Sequence, residues 1–217
     1  IYPKASAQYS DSEDFQNLAK EKNKELNNQE KKVMEQWSLL KKISIESITE
    51  TLNLLNHDFD LWLGESDVNE LIEPMIKSLK KEGKVQIDDN ALVSTQDVEP
   101  KILIAKSDGS YLYLTTDLAT IIDRLNKNDF DIALYVVDSR QKLHFNQLFK
   151  TVEYFNFPKR NYQHIDFGTI NNMEGKPFKT REGGTEKLIS LYNQTFEYIQ
   201  NINKDLDEIT IHKLSNT

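Results

Sequence analysis

A run of basic residues set among glycines is the clearest feature of this sequence that could do chemistry. Residues 166–184 read DFGTINNMEGKPFKTREGG and place Lys176, Lys179 and Arg181 within six positions. Cations this close repel one another unless an anion lies between them. The neighbouring glycines let the backbone approach a ligand or adopt positive φ, so the pattern indicates a phosphate-binding loop. A solvated hairpin tip is the alternative, because short basic runs are common on protein surfaces.

Three polar residues further upstream could hold a cationic ligand. Tyr113 and Asp117 flank the turn after a short extended run at 111–114, and Gln141 follows the run IALYVV at 132–137. Ligands of open parallel sheets bind beyond the carboxyl ends of the strands. A carboxylate pairs with a guanidinium through two parallel hydrogen bonds. Asp is also favourable at a helix start whatever its function, so a purely structural role for Asp117 stays open.

The elements that must position these residues alternate between strand and helix. Such alternation predicts an α/β fold with a parallel sheet and right-handed crossovers. The predicted elements are a strand at 59–63, a helix at 72–81, a hairpin at 85–87 and 91–93, a buried parallel strand at 102–105, a helix capped by Thr116, a strand at 132–137, a helix at 141–155 and a strand at 163–168.

Helical patterns lie on both sides of this α/β region. Residues 1–10 read as irregular, and apolar residues then recur at helical spacing. The predicted helices begin near Glu13 with Ser12 as the cap, within 30–40, at Ser44, at Thr185 and at Asp205. We therefore predict a small helical lobe at 1–56, an α/β domain at 57–200 and the start of a further helical region at 201–217.

Composition excludes several classes of protein. The 217 residues are 38% hydrophobic and 29% charged, which is typical of a globular chain with a full core. No apolar run approaches the roughly 20 residues that span a bilayer, and the start has no signal-peptide pattern. The absence of cysteine excludes disulfides and thiolate metal sites, and the four histidines lack ligand-like spacing, so no metal site is predicted. These features predict a cytoplasmic protein.

Net charge and chain ends add two expectations. A domain that binds nucleic acid through its phosphates is usually basic, so a chain of net charge −8 is not expected to be the main grip on such a partner. The sequence starts without methionine and ends inside a helical pattern at Thr217. We therefore expect it to be a fragment of a longer protein.

Four segments resemble signature segments of the arginyl-tRNA synthetases, a family of class I aminoacyl-tRNA synthetases. GKPFKTREGG resembles the degenerate bacterial form of the class I KMSK loop, which would fall at 178–181. FDLWLGES, SDGSYLYLTTDLATIIDR and DIALYVVDSRQKLHF resemble three other segments of that family. The resemblance covers about residues 57–200. It implies the second half of a class I Rossmann-type parallel sheet, preceded by a small helical part of the connecting insertion.

The resemblance also implies roles for individual residues. Tyr113, Asp117 and Gln141 match the positions that hold the arginine side chain. Lys179 and Arg181 are the expected catalytic residues, since they would stabilise the triphosphate as charge builds at the α-phosphate. The expected ATP contacts are His144, Phe167, Gly168, Lys176, Lys179, Thr180 and Arg181. A surface or capped histidine is the alternative for His144, and a solvated lysine is the alternative for Lys176.

The implied activity is that of an arginine–tRNA ligase. Such an enzyme joins arginine to ATP as arginyl-adenylate and then transfers the arginyl group to tRNA(Arg), with Mg²⁺ accompanying the phosphates. Three departures from the family bear on activity: the His-x-Gly-His motif, the anticodon-binding domain and the upstream arginine contacts are missing. We therefore expect this piece to have little or no activity alone, and to bind tRNA weakly if at all.

Two other interpretations stay open. One is a synthetase-like module that binds arginine or a nucleotide without ligase activity. The other is an α/β interaction domain that binds neither ligand. The ligase interpretation predicts that Tyr113, Asp117 and Gln141 line one pocket within hydrogen-bond reach of a common ligand.

Overall fold

Two compact units make up the described part of the chain. The computed structural model describes residues 2–168, 171, 175 and 188–216. One unit combines residues 1–60 with 170–217, and the other comprises residues 61–169. The second unit contains Tyr113, Asp117 and Gln141.

Three helices open the first unit: α1 (Tyr2–Asp11), α2 (Glu13–Asn27) and α3 (Lys31–Leu54). Ser12 caps α2 as predicted, since its Oγ accepts a hydrogen bond from the backbone N–H of Phe15 at 3.2 Å. The irregular start predicted at 1–10 is wrong. Pro3 lies in the first turn of α1, where the missing N–H and fixed φ of proline are tolerated.

The new helix predicted to begin at Ser44 is also wrong, because α3 runs unbroken through this residue. The Ser44 hydroxyl donates to the carbonyl of Leu40, one turn earlier, at 2.8 Å. A serine that bonds back to the preceding turn remains inside a helix and does not cap a new one.

Two further helices, α7 (Leu188–Ile202) and α8 (Glu208–Ser215), complete the described part of the first unit. The predicted break near 201–204 is confirmed, since α7 ends at Ile202. The cap of α8 is Asp207, two residues after the predicted start, and its carboxylate accepts from the backbone N–H of Thr210 at 2.8 Å.

The second unit contains an antiparallel sheet of three strands, β1 (Val85–Asp88), β2 (Ala91–Ser94) and β3 (Leu103–Ala105), in that order. The hairpin between β1 and β2 is confirmed, and its two turn residues, Asp89 and Asn90, have φ of 46° and 60°. These values suit Asp and Asn better than most residues.

Two strand predictions in this region are wrong. The run at 102–105 pairs antiparallel with β2, whereas we predicted a parallel strand. A short apolar run indicates that a strand is buried, but it does not indicate whether the neighbouring strand runs parallel or antiparallel to it. The alternating segment at 59–63 forms no strand, and its apolar side chains Phe59, Leu61 and Leu63 are exposed.

The predicted strand–helix–strand unit is confirmed. Strands β4 (Ile132–Asp138) and β5 (Asn161–Phe167) pair in parallel, and α6 (Lys142–Tyr154) connects them. The register runs from Ile132 opposite Asn161 to Asp138 opposite Phe167. Alternation gives this two-stranded sheet two faces. Tyr135 and Tyr162 on one face pack against Phe149 of α6, and the apolar residues of the other face are exposed: Ile132, Leu134, Val136, Ile165 and Phe167.

A single apolar cluster joins α4 (Asn69–Lys81), α5 (Tyr113–Lys127) and α6 to the antiparallel sheet. Ile104, Leu118 and Leu148 have no exposed surface. The Thr115 hydroxyl is equally buried and donates to the carbonyl of Ile104, which ties α5 to β3. The cluster therefore fixes the starts of α5 and α6, where the candidate site residues lie. Its largest fully buried side chains are Ile72, Ile104, Leu118, Ile121 and Leu148.

Candidate substrate site

A cavity of about 650 Å³ opens in the second unit beside the start of α5. Tyr113 and Thr116 line it from α5, and His144 and Gln147 line it from α6. Lys106, in the turn after β3, adds a cation to the lining. The cavity is large enough for an amino acid or a small nucleotide-sized ligand.

Asp117 lies in the second turn of α5 and contacts α6 through a hydrogen bond. The Nε2 of His144 is 2.6 Å from Oδ2 of Asp117. In the part of the chain that the structure describes, Oδ1 of Asp117 accepts no hydrogen bond. The Asp117 side chain is 34% exposed, so its second oxygen has capacity for a ligand.

The start of α5 differs from the prediction. The helix begins at Tyr113 with Leu112 as the cap, and Leu112 has no side chain that can accept a hydrogen bond. The cap predicted at Thr116 is therefore wrong, because that residue lies inside the helix. Tyr113 and Asp117 consequently stand four residues apart on a helix, which places them on one face. Tyr113 is 74% exposed and leaves its phenol open to a ligand.

Gln141 is the last residue of a short 3₁₀ turn, Ser139–Gln141, between β4 and α6. Asp138 caps this turn by accepting from the backbone N–H of Arg140 at 2.8 Å. The same carboxylate pairs with the Arg140 guanidinium through two contacts of 2.9 Å. Gln141 itself is exposed and stands three residues before His144, so the two lie on neighbouring positions of one helical surface.

The structure thus brings the predicted arginine contacts together only in part. Tyr113 lines the cavity, and Asp117 reaches His144, which also lines it. Gln141 and Asp117 are not among the residues that line the cavity. Tyr113 and Asp117 lie in the first two turns of α5, and Gln141 lies just before α6.

The predicted nucleotide contacts are described only in part. Phe167 ends β5 opposite Asp138, and the residue is 52% exposed. Gly168 follows it and is exposed. The remaining predicted residues of the basic loop lie outside the described residues: Lys176, Lys179, Thr180 and Arg181.

One polar pair at this cavity has no signal in the sequence. Tyr111 lines the cavity and its hydroxyl donates to the carboxylate of Glu73 on α4, 38 residues away. Burial, followed by the hydrogen bond and charge of Glu73, raises the pKa of Tyr111 to about 12. Contacts across such a separation follow from the packing of α4 on α5, which local periodicity does not reveal.

Two classes of site are not found in the described residues. None of the helices that the structure describes is both long and apolar enough to cross a bilayer. Over the same residues, no cluster of three or more histidine, aspartate or glutamate side chains is arranged to hold a metal ion. The cavity is lined by the carboxylate of Glu65 and by the two lysines Lys101 and Lys106. It therefore presents charges of both signs, which suits a zwitterionic ligand.

Comparison with known proteins identifies the family to which this chain is similar. The family model described as "tRNA synthetases class I (R), catalytic domain" matches residues 1–215. The arginine–tRNA ligase of Francisella tularensis subsp. novicida is 37% identical over 215 residues, covering 97% of this chain. The arginine–tRNA ligase of Alkaliphilus oremlandii is 37% identical over 199 residues, covering 88% of it. The chain spans only 37% and 34% of the lengths of these two relatives.

Solved structures support the same fold. The arginyl-tRNA synthetase of Plasmodium falciparum matches with a TM-score of 0.73 and 22% identity, covering 94% of this chain and 35% of that one. The arginyl-tRNA synthetase of Thermus thermophilus matches with a TM-score of 0.61 and 16% identity, covering 88% and 42%. The fold class predicted from the sequence, a partial Rossmann-type α/β domain, is confirmed.

Proposed function

The chain belongs to the catalytic-domain family of the class I arginyl-tRNA synthetases, and from this membership we propose that it forms the arginine-binding part of an arginine–tRNA ligase. In this proposal the region 57–200 is the second half of the nucleotide-binding fold. Residues 1–56 belong to the connecting insertion, and 201–217 begin the helical region that follows.

The hydrogen bonding of the Asp117 carboxylate is the observation that carries the proposal. Its carboxylate is held by His144 through Oδ2, and Oδ1 has no partner among the described residues. A carboxylate that is oriented but incompletely bonded suits a guanidinium, whose planar donors match it through parallel hydrogen bonds. Asp117 would therefore bind the side chain of arginine.

Two neighbours would complete the arginine subsite. Tyr113 stands one turn before Asp117 and lines the cavity, so its phenol can accept from the guanidinium or pack on its plane. Gln141 ends the turn that leads into α6, and its amide oxygen can accept from the remaining N–H groups. These contacts would recognise the shape and charge of the arginine side chain, and they would take no part in forming the bond to the α-phosphate.

The reaction itself requires little covalent chemistry from the protein. The carboxylate of arginine attacks the α-phosphorus of ATP and pyrophosphate leaves, which gives arginyl-adenylate. A ribose hydroxyl of tRNA then attacks the arginyl carbonyl and AMP leaves. Positioning and charge stabilisation supply the rate in such steps.

The nucleotide contacts in this proposal rest on the sequence. Lys179 and Arg181 would stabilise the phosphates in the transition state, with Lys176 and Thr180 beside them. Mg²⁺ would arrive with the phosphates of ATP. Phe167, Gly168 and His144 would lie along the nucleotide. The tRNA would be held mainly elsewhere, given the net charge of −8 on this chain.

Calorimetry with arginine and with citrulline tests the proposal. Citrulline has nearly the same shape but carries a neutral urea group, so a site built on Asp117 should discriminate strongly between the two. We expect the protein carrying this chain to bind arginine at least tenfold more tightly than citrulline, since a charge-assisted hydrogen bond contributes roughly 1.5–3 kcal/mol. Equal binding of the two ligands, or binding of neither, would contradict the proposal. Arginine-dependent exchange of pyrophosphate into ATP then tests the chemical step.

A further inference from the structure

We propose that His144 is a positioning residue of the arginine subsite, which holds the carboxylate of Asp117 in the orientation that meets a guanidinium. The inference rests on the proposed function, because it assigns a role within that same site. It gives His144 a task on the arginine side of the cavity, beside the nucleotide contact that the sequence predicts.

The geometry links two helices through these two side chains. His144 lies in the first turn of α6 and Asp117 in the second turn of α5. The Nε2–H of His144 can donate to Oδ2 of Asp117 across 2.6 Å. That distance is just below the roughly 2.7–2.9 Å of charge-assisted N–H···O hydrogen bonds, which are about twice as strong as neutral ones. A single contact therefore sets the direction of the carboxylate.

Packing against an aromatic neighbour also restrains the histidine ring. The ring stands edge-on to Phe145, with centroids 5.2 Å apart and planes at 81°. Phe145 is buried and stacks on His164 of β5 at 4.9 Å. The Nε2 of His164 in turn lies 3.0 Å from the carbonyl oxygen of Val137 at the end of β4. The donor that meets Asp117 is thus supported by the core and by the parallel sheet.

The support matters because a free carboxylate on a helix surface can rotate. A guanidinium binds only one orientation of the carboxylate. If ligand binding itself must fix that orientation, the conformational entropy that the carboxylate loses lowers the affinity for the ligand. A carboxylate has about four lone-pair sites on its two oxygens. His144 occupies one site on Oδ2 and leaves Oδ1 open to a ligand.

The alternative role for His144 is a contact with the nucleotide alone. Under that role, loss of the side chain weakens ATP binding and leaves arginine binding unchanged. A merely structural role predicts a third pattern, in which the protein is destabilised and both ligands are weakened alike. The ratio of the two effects therefore identifies the role.

Two substitutions of similar polarity separate these cases. His144→Gln keeps a side-chain amide nitrogen near the position of Nε2, and His144→Asn is one methylene shorter and cannot reach Asp117. Asn146→Ala serves as the control, because Asn146 is exposed on the same helix. Calorimetry would measure the dissociation constants for arginine, citrulline and ATP in the protein carrying this chain, with circular dichroism confirming the fold.

We expect His144→Asn to weaken arginine binding about tenfold or more, since it removes a charge-assisted hydrogen bond. Its ATP affinity should change less than its arginine affinity, its preference over citrulline should fall, and His144→Gln should restore most of the loss. An unchanged arginine affinity in His144→Asn, or equal weakening of arginine and ATP, would overturn the inference alone. Failure of the unsubstituted protein to prefer arginine over citrulline would overturn the proposed function and this inference with it.

Discussion

The Nε2 of His144 lies 2.6 Å from Oδ2 of Asp117, and this contact joins two helices across 27 residues of sequence. Each helix contributes a further candidate contact near its start, Tyr113 on α5 and Gln141 just before α6. The hydrogen bond therefore links the two helix starts that carry the proposed arginine contacts.

Replacement of the Asp117 carboxylate tests the charge requirement of this site. In Asp117→Asn the amide oxygen can still accept from His144, so the fold should be kept, but the negative charge is lost. We expect arginine affinity to fall about ten- to a hundredfold, because a hydrogen bond to a charged group contributes roughly 1.5–3 kcal/mol. Calorimetry measures the change. Asp131→Asn removes the same charge from an exposed position of the same unit, and an equal loss there would contradict the assignment.

The Asp138 carboxylate both caps the 3₁₀ turn before α6 and pairs with Arg140, and two substitutions separate the contributions of these contacts to stability. Asp138→Ala removes both the bond to the backbone N–H of Arg140 and the contacts with its guanidinium. Arg140→Ala removes only the latter. We expect Asp138→Ala to lower the free energy of unfolding by about 1–2 kcal/mol. Arg140→Ala should lower it by about 0.2–1 kcal/mol, because the Arg140 side chain is exposed. Urea denaturation compares the two, and the reverse order would show that the cap contributes little.

Two leucines of α6 test the position of the core. Leu148 has no exposed surface, and Leu143 on the same helix is 70% exposed. Leu148→Ala should lower the free energy of unfolding by about 2–5 kcal/mol, because it leaves a cavity among α4, α5 and the sheet. Leu143→Ala should change it by no more than about 0.5 kcal/mol. Similar effects of the two substitutions in thermal or urea unfolding would be inconsistent with the packing of α6.

The raised pKa of Tyr111 makes a prediction about alkaline stability. Burial and Glu73 raise this pKa from 10.0 to about 12, so the folded state favours the neutral phenol. A group with a raised folded pKa stabilises fully below its unfolded pKa, and the contribution is lost as pH rises to the folded value. Stability should therefore fall between pH 10 and about 12. Tyr111→Phe should make this fall shallower in urea titrations, whereas Tyr198→Phe, at an exposed position, should not.

The sequence predicts the parallel strand–helix–strand unit well, because its signals are local. The run IALYVV is rich in β-branched residues, and the apolar positions of α6 recur at helical spacing. The start of α5 could not be predicted in the same way. Leu112 caps it without a side-chain acceptor, so the polar signal at Thr116 points to the wrong position.

A local sequence pattern does not predict how two helices or two strands pack against each other. The direction of β3 depends on its pairing with β2, which no residue within 102–105 encodes. The contact between His144 and Asp117 likewise arises from the packing of α5 on α6. The family resemblance selects Asp117 and His144 individually, but it assigns them to different ligands. Only the folded structure brings the two side chains within 2.6 Å of each other.

The in-register ending of β4 and β5 sets a constraint on insertions and deletions. Asp138 and Phe167 lie opposite each other, so the turn that carries Gln141 and the residue Gly168 follow the two strands at the same level of the sheet. Because side chains alternate along a strand, the loss of one residue from the middle of β5 would invert the Phe167 side chain. It would also move one of the two departing segments by about 3.3 Å relative to the other. The equal lengths of β4 and β5 therefore set the relative positions of the segments that follow them. We expect a compensating deletion of one residue from β4 to bring those two segments back into alignment.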